Sequence, residues 1–272
     1  MSKLGGARTA AKLIVGNWKM YTDSAGAGQL ATAIADGVRN EQTVSVALCP
    51  PFPYLALVRD LLVNCSVALG AQNLFPETEG AFTGEISPTM LLDVGCKYVI
   101  IGHSERRRLG ESDEFIHRKV KVALNAGLQV IFCVGETLDQ RKSDQTEAVI
   151  TNQVSRGLFG IQSDLLMGLK IAYEPVWAIG SSGRCATLSQ VEAAHGFVRR
   201  CFSLIFGEGP ARALRLLYGG NVNPENATEL LGCHDVDGVL VGAASLKAEQ
   251  FLRIVESAIA VRCLPRQNLI AL

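Results

Sequence analysis

The sequence predicts an α/β fold of eight parallel strands, each followed by helix, and three observations carry that expectation. Eight short runs rich in β-branched and aliphatic residues recur at Lys12 to Asn17, Val44 to Cys49, Val67 to Gln72, Tyr98 to His103, Gln129 to Val134, Lys170 to Glu174, Leu214 to Gly219 and Gly238 to Val241. The runs are continuously apolar rather than alternating, which requires both faces of the sheet to be covered. Capped helical segments fall between them, and 272 residues over eight units give about 34 each, the size of one strand-helix-strand repeat. A chain of this length can form a single domain. Eight parallel strands either close into a barrel or lie open as a doubly wound sheet, and their number alone does not choose.

The elements follow in order. A leader carrying Lys3, Arg8 and Lys12 precedes the first acidic residue, Asp23, but has no hydrophobic stretch of signal-peptide type. It is expected to be a mature N-terminus, with residues 1–11 a short extension and 12–272 one domain. Gly26-Ala-Gly28-Gln-Leu-Ala31 fits a dinucleotide fingerprint in spelling only, because it begins about nine residues after its strand instead of at the strand's end. Ser87-Pro88 opens a helical segment closed by Gly95, and Asn223-Pro224 opens one closed by Gly232, each with a cap, a proline in the first turn and a glycine at the exit. Ser112 to Asn125 places Ile116, Val120, Ala123 and Leu124 on one face before Gly127. Thr187-Leu-Ser-Gln190 reads as a capping box ahead of a core stripe of Val191, Ala194, Val198 and Phe202.

Composition narrows the function. Lys+Arg and Asp+Glu are both 26, so the formal net charge is zero and no global field draws a polyanion; nucleic-acid and anionic-membrane partners are not expected. Hydrophobic content of 48% and a mean hydropathy of +0.22 describe a chain with a large core. No apolar run approaches the roughly 18 residues of a membrane span, so a soluble protein is expected. The eight cysteines show no C-x-x-C spacing and several lie in apolar runs, which suits reduced thiols in the cytoplasm. The sequons at Asn64 and Asn226 are then idle. Cys233-His234 is at most half a metal site, and no metal is expected.

In parallel α/β folds the chemistry gathers at the carboxyl ends of the strands. Strand one ends Gly16-Asn17-Trp18-Lys19, strand four Gly102-His103-Ser104-Glu105-Arg106, and strand six Tyr173-Glu174-Pro175-Val176-Trp177. Singly, each polar residue has an ordinary reading: a solvated lysine, a hydrogen-bonded core histidine, a paired carboxylate. Together, a carboxylate, an imidazole and an ammonium at one mouth are a kit for abstracting a proton beside a carbonyl and stabilising the enediolate oxygens. The segment Pro175, Val176, Trp177, Ala178, Ile179, Gly180, Ser181, Ser182, Gly183, Arg184 starts stiff and turns glycine-rich, as a hinged lid does. Strands seven and eight end Tyr218-Gly219-Gly220-Asn221 and Val241-Gly242-Ala243-Ala244-Ser245, where small residues let backbone N–H groups approach a phosphate. A Schiff-base aldolase is a second reading, but its lysine belongs at a strand's carboxyl end and Lys170 begins its strand. A non-catalytic binding protein on the same scaffold is a third.

The motifs Gly16-Asn-Trp-Lys-Met20, Gly70-Ala-Gln-Asn73, Gly80-Ala-Phe-Thr-Gly-Glu-Ile-Ser87, Gly102-His-Ser-Glu-Arg-Arg107, Tyr173-Glu-Pro-Val-Trp-Ala-Ile-Gly180 and Tyr218-Gly-Gly220 closely resemble those of the triosephosphate isomerases. The resemblance runs from about Lys12 to about Glu256. It implies a single-domain (β/α)8 TIM barrel that interconverts dihydroxyacetone phosphate and glyceraldehyde 3-phosphate, in glycolysis and gluconeogenesis, with no metal or organic cofactor. That family is itself the standard case of a glutamate base with a neutral histidine electrophile, so these roles come with the resemblance. By position, it makes Glu174 the base, His103 the electrophile, Lys19 the electrostatic anchor and Asn17 a substrate contact, with Ser104, Glu105 and Cys133 in support. Gly180, Asn221, Gly242 and Ala243 would join the substrate contacts. A homodimer is implied, with Gln72, Thr83 and Arg106 as interface candidates. Asn221 stands where the family has serine, Ala243 where it has a second glycine, and the lid is one residue longer than usual.

Overall fold

The computed structural model describes residues 11–39, 41–180 and 185–263. Nearly all of the expected extension, residues 1–10, and the lid residues Ser181, Ser182, Gly183 and Arg184 lie outside the described residues.

Eight strands alternate with helices: β1 (Leu13–Asn17), α1 (Ser24–Gly37), β2 (Ser45–Cys49), α2 (Leu55–Leu61), β3 (Ala68–Ala71), α3 (Pro88–Asp93), β4 (Tyr98–Ile101), α4 (Ser104–Arg108), α5 (Asp113–Ala126), β5 (Gln129–Val134), α6 (Leu138–Lys142), α7 (Thr146–Gly157), β6 (Leu169–Tyr173), α8 (Leu188–Phe206), α9 (Glu208–Ala213), β7 (Arg215–Tyr218), α10 (Ala227–Gly232), β8 (Gly238–Val241) and α11 (Ala248–Cys263). All strand pairs are parallel, in sequence order, and β8 pairs back onto β1 through Leu13↔Gly238 to Gly16↔Val241. The sheet is therefore a closed barrel, which settles the choice that strand number leaves open.

Continuous apolarity has the expected cause. Alternate residues point into the barrel, where Leu13, Val15, Ala47, Ile100, Ile131, Ala172, Leu217 and Leu240 pack on one another. The residues between them, such as Ile14, Val99, Phe132 and Ile171, pack outward against the helices. Each strand is thus buried on both sides, and no helix of the described residues is long and apolar enough to cross a membrane.

Local signals set the helix ends. Ser87 and Ser112 cap α3 and α5 by accepting from Met90 N and Phe115 N, and Thr187 and Gln190 form a reciprocal capping box at α8. Gly127 ends α5 in the left-handed region, φ 92°. The Asn223-Pro224 expectation needs correction: regular helix starts at Ala227, because the Asn223 side chain accepts from Glu225 N and Asn226 N and holds a separate turn first. The fingerprint-like Gly26 to Ala31 lies within α1, with Gly26 N donating to the Asp23 cap, and forms no strand-end loop.

Candidate active site

Period two along each inward stripe carries the chain from the core to the mouth. After Leu13 and Val15 comes Asn17, and after Ala172 comes Glu174. Asn17, His103, Ser104 and Glu174 are all buried, Glu174 to 2% exposure although it carries a carboxylate. A buried charge of that kind persists only where fixed dipoles or cations meet it.

His103 caps α4, and its Nδ1 accepts from Glu105 N at 3.2 Å. A ring nitrogen that accepts an N–H carries no proton, so the imidazole is neutral and holds its proton on Nε2. Nε2 lies 3.1 Å from Glu174 Oε1. Glu174 Oε2 accepts from Ser104 N at 2.9 Å, whereas Oε1 accepts no hydrogen bond of good geometry among the described residues. One carboxylate oxygen is therefore anchored and the other stands bare beside the imidazole N–H.

Lys19 reaches this pair through Glu105. Its Nζ donates to Glu105 Oε1 at 2.7 Å. Burial opposes ionisation of Glu105, but the Lys19 hydrogen bond and the Lys19 charge hold its carboxyl below the ordinary value, so it stays ionised. The Lys19 backbone sits at φ 52°, in the left-handed region that a lysine seldom adopts. Two hydrogen bonds hold it there: Lys19 N donates to Asn17 Oδ1 at 3.0 Å, and Gln72 Nε2 donates to Lys19 O at 2.8 Å. Gln72, expected at an interface, thus bonds within its own chain, and its Nε2 also donates to Cys49 O at 2.9 Å.

Two of the remaining walls are small by necessity. A Cβ on Gly219 would lie 2.9 Å from Glu174 Cγ, and one on Gly135 only 1.8 Å from Glu174 O, so the exits of β5 and β7 clasp the glutamate from both sides. A Cβ on Gly242 would stand 3.4 Å from Lys19 Cε, which places the β8 exit beside the ammonium. Ala243 is exposed at the start of the 3-10 turn that follows, and Ser245 Oγ donates to Asn17 O and Gly242 O, tying that turn to β1. Asn221 reaches across from the β7 exit to donate to Cys185 Sγ at 3.4 Å, just past the lid. Cys133 is buried behind Glu174; burial and then the Glu174 charge push its thiol well up, so it stays protonated.

The first half of the lid is described. Pro175 precedes a 3-10 turn at Val176–Ala178, and Gly180 has φ 77°. Its root is a residue that strand-end inspection passed over, Glu136, fully buried at the end of β5. Glu136 accepts from Trp177 Nε1 at 2.8 Å, Arg141 Nη1 at 3.0 Å and Tyr173 Oη at 3.1 Å. The signal was in the sequence, since Val134-Gly135-Glu136 is a strand exit like the others, but no partner nearby in the chain marked it. Arg107 was likewise passed over: its guanidinium donates to Gly102 O and Cys133 O and joins the ends of β4 and β5.

Thr83 is exposed, and Arg106 pairs with Glu111 Oε1 at 2.6 Å. Lys170, the lysine of the aldolase reading, is at the opposite end of β6 from Glu174. No cluster of metal-ligating side chains occurs among the described residues.

Comparison with known proteins shows the family. The family model described as triosephosphate isomerase matches residues 12–258. A triosephosphate isomerase of Carboxydothermus hydrogenoformans is 49% identical over 247 residues, 90% of this chain and 98% of the relative. Triosephosphate isomerases of Chloroflexus aurantiacus and Geobacter metallireducens are each 47% identical over 244 residues, 89% of this chain and 97% of theirs.

Proposed function

The chain belongs to the triosephosphate isomerase family and interconverts dihydroxyacetone phosphate and glyceraldehyde 3-phosphate, and from that premise we propose how its residues divide the work. Glu174 takes the carbon-bound proton with its bare Oε1 and returns it to the neighbouring carbon. His103 offers Nε2–H to the carbonyl oxygen, and the neutral ring follows from the Glu105 N–H on its other nitrogen. Lys19 supplies positive charge to the developing enediolate, and Asn17 fixes the lysine's backbone. The phosphate rests against the exits of β7 and β8, at Asn221, Gly242 and Ala243, with Gly180 closing from the lid. Closure strips water from Glu174 and protects the enediolate from losing phosphate. Ser104 orients the base through its backbone N–H, Glu105 holds the lysine, and the protonated Cys133 thiol adds no competing charge.

The observation that carries this reading is the 3.1 Å approach of the His103 Nε2 to a buried, unbonded carboxylate oxygen. A coupled assay tests it: purified protein is expected to turn over both trioses, and Glu174→Gln to lose about 10²–10⁴-fold in kcat. Wild-type-like turnover in that variant would remove Glu174 as the base.

Residues 12–272 form one domain that acts as a homodimer in the cytoplasm, within glycolysis and gluconeogenesis. Support for the dimer comes from the exposed apolar side chains Met20, Tyr21 and Phe82 near Lys19 and the exposed Thr83 in sequence. Gln72, Thr83 and Arg106 belong to that face. Sedimentation equilibrium is expected to give twice the 29.1 kDa chain mass, and a single-chain mass at micromolar concentration contradicts the dimer.

A further inference from the structure

The inward stripe of the barrel has a second end. Four residues before Glu174 on β6, and on the same side by period two, stands Lys170, about 13 Å away along the strand. Lys170 is only 6% exposed. It lines a cavity of about 620 Å³ at the amino-terminal floor of the barrel, together with Lys97, Arg215, Ser45, Tyr98 and Gln129. That volume lies in the range of small-molecule sites, roughly 300–1,000 Å³.

The charge in this cavity is one-sided. Three cations line it and no Asp or Glu does. Lys97 stacks 5.9 Å from the Tyr98 ring, and neither it nor Arg215 has a carboxylate partner among the described residues. Lys170 Nζ donates to Gln129 Oε1 and, at 3.1 Å, to Met167 O, which leaves the third of its N–H donors unused. Burial, then the charges of Arg215 and Lys97, push the Lys170 ammonium down to about 8. Like charges held together in a half-enclosed space focus a positive potential there, and a multiply charged anion relieves it. Arg215 presents a planar fork and the lysines point charges, a donor set matched to phosphate or carboxylate oxygens.

We propose that the floor cavity bounded by Lys97, Lys170 and Arg215 is a binding site for a small, multiply charged oxyanion, separate from the catalytic mouth. Isothermal titration with inorganic pyrophosphate at fixed ionic strength tests it, with citrate in parallel to sort phosphate from carboxylate preference. Four proteins are compared: wild type, Lys19→Met, Lys97→Gln and the double variant Lys97→Gln/Arg215→Gln. Lys19→Met removes the ammonium of the mouth but leaves the floor, so it is expected to keep the floor's binding event. The double variant is expected to lose that event by about tenfold or more, and Lys97→Gln, at an exposed position, to weaken it in the same direction. Turnover of the trioses by Lys97→Gln and by the double variant should match wild type, which shows that both fold. Absence of binding of either anion to wild type overturns the proposal. So does binding that vanishes in Lys19→Met and survives in the double variant, since all of it then belongs to the mouth. Equal affinity in all four proteins also overturns it. Should the double variant fail to fold, Lys97→Gln in the Lys19→Met background decides: unchanged affinity contradicts the site and weakened affinity supports it.

Discussion

Lys19 shows how a single residue is placed by others far away in sequence. Its left-handed backbone is costly for a side chain with a Cβ, of the order of 1–3 kcal/mol. Asn17 and Gln72 hold that conformation, and Glu105 then takes the ammonium at 2.7 Å, beside the Gly242 exit of β8. Substitution Lys19→Met is therefore expected to lower kcat/KM by about 10²-fold or more, the scale of removing one preorganised charge, while urea unfolding changes little. An undiminished kcat/KM removes Lys19 from the electrostatics of the reaction. The candidates at this scale were legible because strand ends in a parallel fold are where chemistry collects, so Asn17, His103 and Glu174 could be picked out by position. Their partners were less so. Gln72 serves Lys19 by folding geometry alone, and nothing in the order of residues announces a bond between positions 53 apart.

At the scale of elements, the β5 exit and the lid root behave as one unit. Gly135 clasps the Glu174 backbone, and the next residue, Glu136, gathers Tyr173, Trp177 and Arg141, whose guanidinium also lies 4.6 Å from the Trp177 ring. Burial, together with the neighbouring Glu136 charge, keeps the Tyr173 hydroxyl protonated and hence a donor. Removing the carboxylate takes away the acceptor that Tyr173, Trp177 and Arg141 share. Glu136→Ala is expected to cost about 3–5 kcal/mol in urea unfolding, the scale of breaking a buried ion pair from one side, and to raise KM as the lid loses its root. A loss below about 1 kcal/mol with unchanged KM contradicts the role given to Glu136. Strand spans and most caps were readable because continuous apolar runs and Ser, Thr and Gly signals are local. The Asn223 turn was not, because the same capping chemistry serves a turn as well as a helix start.

For the whole molecule, closure of the barrel depends on β8 meeting β1 in register, a pairing of residues more than 220 positions apart that no local pattern encodes. The continuous apolar runs did announce strands buried on both sheet faces, and a buried histidine sets part of the chain's pH response. His195 is fully buried in α8, with Nδ1 3.0 Å from Asp235 O, and burial pushes its pKa down to about 4. In the unfolded chain a histidine titrates near 6.5. The unfolded state then binds more protons between the two values, so this contribution is fully present above about pH 6.5 and is lost as pH falls toward 4. Unfolding free energy is expected to drop by about 2 kcal/mol from pH 7 to pH 5 on this account, and His195→Gln to flatten that part of the profile. An identical acid slope in the variant assigns the loss to other groups.

The central claim is that Glu174 moves a carbon-bound proton while His103 polarises the adjacent oxygen. Solvent exchange reads that step directly: in deuterium oxide, wild-type protein converting glyceraldehyde 3-phosphate should yield dihydroxyacetone phosphate bearing deuterium on carbon. Folded Glu174→Gln should slow the incorporation by about 10²–10⁴-fold. Incorporation at the wild-type rate in that variant, or conversion by wild type with no deuterium on carbon, contradicts it.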